Sequence, residues 1–173
     1  QQNLDPSIHF KKLFRDDHND VVILKKNYIS ISSEHHLVSY FGEVSITYIS
    51  SGGYIAGLSK LARAIDDISK RPQVQERITQ QLADIIYNEL EPEALVILVE
   101  AEHMCMTMRG VKKPGVKIIT IVAKGLKEHS KVFAMLGIGE QLITVGTVIN
   151  AGCSFCVQLS YLNFITYLDK YQI

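Results

Sequence analysis

An α+β fold, with an antiparallel sheet covered on one face by two helices, is predicted by the order in which two hydrophobic periods occur along the chain. Strand-type runs come first, two amphipathic helical stripes follow, and a continuous apolar run with a returning strand closes the pattern. A length of 173 residues suits one domain, and 47% hydrophobic with 21% charged residues argues against disorder over most of it. A chain of this size buries roughly two-thirds of its unfolded surface and needs no disulfide staples.

The elements follow in order. Asp16-Asp17-His18-Asn19-Asp20 reads as a solvated turn. Val21 to Lys25 and Tyr28 to Ser32 are short β-branched runs and are expected as strands. Val44 to Ile49 alternates, with Val44, Ile46 and Tyr48 on one face and Ser45, Thr47 and Ile49 on the other, which is the period of a half-buried strand. Ser50-Ser51-Gly52-Gly53 breaks it as a turn. Leu58, Leu61, Ile65 and Ile68 recur at helical spacing, and Pro72 separates them from a second stripe of Val74, Ile78, Leu82, Ile85 and Leu90 that ends near Pro92. Leu95 to Val99 is apolar throughout, a well-buried strand that continues into Glu100-Ala101-Glu102-His103. Gly110 to Gly115 forms a basic turn, and Ile118 to Val122 is the returning strand.

Residues 137–173 differ in character from residues 1–136. No charged residue occurs from Gln141 through Leu168, yet Thr, Asn, Ser, Gln and Gly interrupt the apolar ones. A membrane helix needs about 20 mostly apolar residues. This run is long enough but polar, so the expectation is a divergent strand-and-turn extension packed on the domain, with a membrane span or a non-folding tail as alternatives.

Eighteen basic residues balance eighteen acidic ones, which argues against a general nucleic-acid binder, whose affinity rests on neutralising phosphates. Three cysteines do not make a secreted disulfide framework, so a reducing cytoplasmic setting is expected. Gln1 to Phe14 has no secretory-signal pattern, and the missing initial Met reads as processing or a fragment.

Three groups of residues could carry chemistry. Ser33-Glu34-His35-His36 stands at the end of a predicted strand, where adjacent histidines would point to opposite sides. His103-Met104-Cys105 would project His103 and Cys105 from one strand face. Both are preferred zinc ligands, and a catalytic zinc wants three protein ligands plus an open position for water. The plainer alternative is a buried Cys acting as a small hydrophobe. Lys60 and Arg63 share a helix face, and Arg109, Lys112 and Lys113 follow the His/Cys pair. Such cations suit a phosphorylated substrate, against the plainer reading of a solvated face and a basic turn. Gln75 and Glu76 open the second helix, where the helix dipole favours an acid in any case. Cys153-Ser154-Phe155-Cys156 has metal or redox spacing, but one isolated pair in an apolar segment is expected to be incidental.

SEHHLV (33–38), GLSKLAR (57–63), RPQVQERIT (71–79) and EAEHMCMTMRGVKKPG (100–115) together resemble GTP cyclohydrolase I, in matching order and spacing from about Asp16 to about Phe133. Little of that family's N-terminal helical region is matched, and nothing after about Leu136. The resemblance implies a tunnelling fold (T-fold), a homo-oligomer in the form of a ring-shaped decamer, and active sites between subunits. It implies hydrolytic opening of the imidazole ring of GTP with release of formate, giving 7,8-dihydroneopterin triphosphate for folate or biopterin synthesis. Zinc (Zn2+) would activate the attacking water by lowering its pKa to about 7.

Carried over residue by residue, the resemblance assigns the zinc ligands to His36, Cys105 and position 33, and proton transfer to His35 and His103. Glu76 would grip the guanine, Gln75 and Ser59 would line its pocket, and Lys60, Arg63 and Arg109 would hold the triphosphate. Position 33 departs from the pattern, because the family has Cys where this chain has Ser33. A hydroxyl is a poor match for zinc beside a thiolate. Weak binding completed by Ser33 or water, recruitment of Glu34 or His35, and an empty site are the three outcomes left open. An enzyme weakened by Ser33 is therefore the leading expectation. A catalytically impaired homologue serving as a nucleotide-binding or regulatory subunit is the alternative, and a related purine or pterin enzyme on the same fold is a third.

Overall fold

The computed structural model describes residues 5–11, 13–15 and 21–125, together with the backbone of residues 157–160. The expected turn at 16–20, the Cys153/Cys156 pair and the rest of the 137–173 extension lie outside the described residues. The strands are β1 (Phe14–Arg15), β2 (Val21–Ser32), β3 (Ser39–Ile49), β4 (Tyr54–Ile55), β5 (Ala94–His103), β6 (Lys117–Gly125) and β7 (Val157–Ser160). The helices are α1 (Leu58–Ser69), α2 (Gln75–Leu90) and the single turn α3 (Met104–Thr107).

A five-stranded sheet in the order β2-β3-β5-β6-β7 is antiparallel throughout. The two runs expected at 21–25 and 28–32 are one strand. The register slips between Leu24 and Asn27, where Lys26 takes a left-handed φ of 59°. An extra residue of this kind breaks the alternation without ending the strand. β3 begins five residues before the expected 44–49 segment, and Gly42 lies in that added stretch. A Cβ at Gly42 would stand 2.1 Å from the Glu100 carbonyl oxygen, so β3 and β5 lie together there only because no side chain intervenes.

Both expected helices form and pack on one face of the sheet. Leu61, Ala64, Ile65 and Ile68 of α1 and Ile78, Leu82, Ala83 and Ile86 of α2 share a core with Val44, Ile46, Tyr48, Leu95, Ile97 and Val99. α2 stops at Leu90, where Glu91 adopts a left-handed φ of 44° and donates its N–H to the Tyr87 carbonyl ahead of Pro92. The Leu95–Val99 run is apolar on both faces because Val96 joins Ala94 and Ile121 in a second cluster. Two features are additional to the predicted elements. A 3-10 turn at Pro6–Phe10, capped by the Asp5 carboxylate, inserts Phe10 into the helix-side core. β1 and β4 pair as a separate two-stranded ribbon. No helix among the described residues is long and apolar enough to cross a membrane.

Candidate active site

Three segments that are remote in sequence meet at one end of the sheet: the turn after β2, the start of α2, and the end of β5. Ser33 closes the turn at both its backbone groups, donating to the Val38 carbonyl (3.0 Å) and accepting from Leu37 N–H (2.9 Å). Gln73 joins this turn to α2. Its N–H donates to Ser32 O at 3.0 Å, and its carbonyl accepts from Glu34 N–H and the Tyr40 hydroxyl, both at 3.4 Å. Outside this seam Arg77 pairs with Glu34. His35 and His36 are exposed, with ring centroids 6.2 Å apart and planes nearly perpendicular. They lie on a tight turn, so the strand argument that sends them to opposite sides does not apply.

His103 ends β5 directly opposite Tyr40 on β3. The two rings stack with centroids 4.5 Å apart and planes 3° from parallel. His103 Nε2 lies 2.8 Å from Gln75 Oε1. Burial is the main cause that holds the imidazole below its usual value of 6.5, opposed by the nearby Glu76 carboxylate and reinforced by His36. That shift favours the neutral ring. Burial also pushes the Tyr40 phenol well up, and Glu76 adds to that. Glu76 thus acts on both stacked rings.

Cys105 corrects the strand-face argument. The chain leaves the sheet at His103 and Cys105 lies on α3, so the two-residue strand period does not relate it to His103. The turn is folded by Met108 N–H on Met104 O and Lys113 N–H on Met106 O, each 2.9 Å. The Glu102 carboxylate anchors it by accepting from Gly115 N–H (2.8 Å) and the Thr107 hydroxyl (2.9 Å), and these bonds lower its pKa. Arg109 on this loop donates to the His36 carbonyl at 3.3 Å, tying it to the first turn.

Gln75 was expected in the guanine pocket. Its side chain is 1% exposed and is bonded within the chain, to His103 at one end and to β5 and β6 at the other. Ser59, Lys60 and Arg63 sit on α1, a separate element. Lys60 Nζ lies 5.5 Å from the centre of the Phe14 ring. Tyr40, Gln73, Glu102, Thr79 and Thr120 build the site without having been expected there. Tyr40 and His103 face each other through strand register, which no periodicity in either segment reveals.

The donor set for a zinc ion is short by one strong ligand. His36 and Cys105 offer an imidazole and a thiol, whereas the third position is the buried hydroxyl of Ser33. Among the described residues no group of three or more His, Cys, Asp or Glu side chains is placed to hold a metal. A catalytic zinc keeps three protein ligands, so these residues do not fit a standard one.

The family model for GTP cyclohydrolase I matches residues 1–135. GTP cyclohydrolase 1 of Listeria welshimeri is 48% identical over 137 residues, which cover 76% of this chain and 72% of its own length. GTP cyclohydrolase 1 of Bacillus pumilus is 51% identical over 123 residues, covering 71% of this chain and 65% of its own length. That of Streptococcus pyogenes serotype M18 is 51% identical over 127 residues, covering 73% and 66%. This chain thus spans about two-thirds of the length of these relatives.

Proposed function

The chain belongs to the GTP cyclohydrolase I family, and we propose that it opens the imidazole ring of GTP by hydrolysis, releasing formate and forming 7,8-dihydroneopterin triphosphate. One observation carries this reading. The motif stretches at 33–38, 71–79 and 100–115 converge at one end of the sheet, joined by Glu34 N–H on the Gln73 carbonyl, His103 on Gln75 and Arg109 on the His36 carbonyl. Relatives about 50% identical and named GTP cyclohydrolase 1 favour the enzyme over a silent regulatory homologue.

In this reading Glu76 accepts the N–H groups along one edge of guanine, a geometry that suits a carboxylate's two oxygens. His103 takes and returns a proton during ring opening, a role to which an imidazole is suited. His35, exposed on the turn, is the second proton-transfer group. Arg109 meets the triphosphate, with Lys60 and Arg63 supplying further cations and Ser59 a hydroxyl. These α1 residues sit on a different element from the His103 cluster. The family resemblance implies that neighbouring subunits of a decamer complete one such site. The setting proposed is the cytoplasm.

Zinc, were it held, would supply an activated water. His36 and Cys105 would be its two strong ligands, with the Ser33 hydroxyl a poor third.

GTP labelled at C8 tests the reading. Labelled formate and a fluorescent pterin, recovered in equal amounts after oxidation, are expected, and both should fall together in His103→Ala. Consumption of GTP without formate would overturn it.

A further inference from the structure

We propose that Gln75 is a positioning residue that fixes the tautomer of His103, leaving Nδ1 as the atom that exchanges protons with the substrate. The inference rests on the proposed hydrolysis only for what that proton does.

The argument follows the hydrogens. One end of the Gln75 side chain faces the Val99 carbonyl (3.0 Å), the Ile118 carbonyl (2.9 Å) and Thr120 Oγ1 (3.2 Å). Carbonyls only accept, so the amide NH2 must lie at this end. Its oxygen then faces His103 Nε2 at 2.8 Å and has no hydrogen to give. His103 must supply that hydrogen, so the neutral ring is the Nε2–H tautomer with its lone pair on Nδ1.

The hydroxyls behind Gln75 point the same way. Thr79 Oγ1 donates to the Gln75 backbone carbonyl at 2.9 Å. Thr79 and Thr120 are 2.6 Å apart, and with the Thr79 hydrogen already spent, Thr120 donates to Thr79. That leaves the Thr120 lone pairs for the Gln75 amide. Carbonyls fix the direction of the Gln75 amide and of the Thr79 hydroxyl, so a flipped Gln75 would set its oxygen against two carbonyl oxygens. In that state the NH2 would exchange its two carbonyl acceptors for His103 Nε2 alone, a costly arrangement. Tyr40, stacked on the imidazole, holds the ring plane while Gln75 holds the proton.

Solid-state 15N NMR of histidine-labelled protein, at a pH above the ordinary imidazole range, reads the tautomer directly. His103 is assigned by its loss in His103→Gln. The unmodified chain is expected to show a protonated Nε2 and a bare Nδ1, and a protonated Nδ1 overturns the proposal whatever the activity. Gln75→Met is expected to mix the tautomers. It should lower kcat roughly 10- to 100-fold, a part of the 10²–10⁴ that a placed acid–base group contributes, with KM for GTP within about twofold. A raised KM with kcat retained would make Gln75 a substrate ligand instead and overturn the proposal. Should Gln75→Met not fold, the unmodified-chain spectrum still decides. An Nε2–H ring in a protein that makes no product from GTP would sink the functional reading and leave the tautomer assignment standing.

Discussion

Tyr40 lies flat against His103 across the β3–β5 pair, with 4.5 Å between ring centroids. The hydroxyl beyond this stack makes one long bond of 3.4 Å, to a Gln73 carbonyl that also receives Glu34 N–H. Stack and hydroxyl therefore separate experimentally. Tyr40→Phe should cost about 0.5–1.5 kcal/mol and retain turnover. Tyr40→Leu should cost roughly 2 kcal/mol or more and lower kcat by about tenfold, because the imidazole loses a wall. Denaturant melts and steady-state kinetics on both variants check this, and equal kinetics would show that the stack is packing alone.

Glu76 is expected to carry guanine recognition. Removing a carboxylate that receives two charge-assisted hydrogen bonds, each worth about 1.5–3 kcal/mol, should weaken GTP binding roughly 100-fold or more. Calorimetric titration of Glu76→Ala with GTP measures it, alongside a circular dichroism spectrum that should not change. Unaltered affinity would remove Glu76 from the pocket.

Gly42 tests the close strand approach. Gly42→Ala puts a methyl where the Glu100 carbonyl and Ala101 already stand. The strands must part, and a loss of about 1–3 kcal/mol or more is expected in urea titration. A neutral substitution would mean that β3 and β5 are not held so tightly beside His103.

Asp67 anchors the N-terminal turn, accepting from Lys70 Nζ and bonding His9 Nε2, each at 2.7 Å. These two bonds, Lys70 first, hold its carboxyl below the usual 3.8. A depressed folded-state pKa contributes stability above the unfolded value, and this stability is lost as pH falls through the folded one. The stability gap between the unmodified chain and Asp67→Asn should be full at neutral pH. It should close on acidification below that usual value. A gap that persists in acid would show that Asp67 acts by shape rather than by charge.

Much of this architecture is legible in the sequence, because helix and strand periods are local. The Leu58–Ile68 and Val74–Leu90 stripes became α1 and α2. What could not be read depends on backbone detail or on pairing. The bulge at Lys26 hid the continuity of β2, and the break at His103 moved Cys105 from a strand to a helical turn. Gln75 is expected from its motif to line the guanine pocket, and only the β5–β6 pairing shows its amide enclosed against Val99 and Ile118. Arg109 was expected from its motif, and its bond to the His36 carbonyl comes from a turn with no periodic signature.

Ser33 predicts a weak metal site. Purified protein should carry less than one zinc per chain by elemental analysis, and Ser33→Cys should raise zinc content and resistance to a chelator. Full occupancy in the unmodified protein would show that a hydroxyl, or a side chain drawn in from nearby, suffices as the third ligand.

Fluorescence of oxidised neopterin formed from GTP is the most direct measurement of the central claim. It should be made on the unmodified chain and on zinc-loaded Ser33→Cys in one series. Slow formation by the first and faster formation by the second are predicted. No pterin from either, in folded protein supplied with zinc and GTP, would contradict the account.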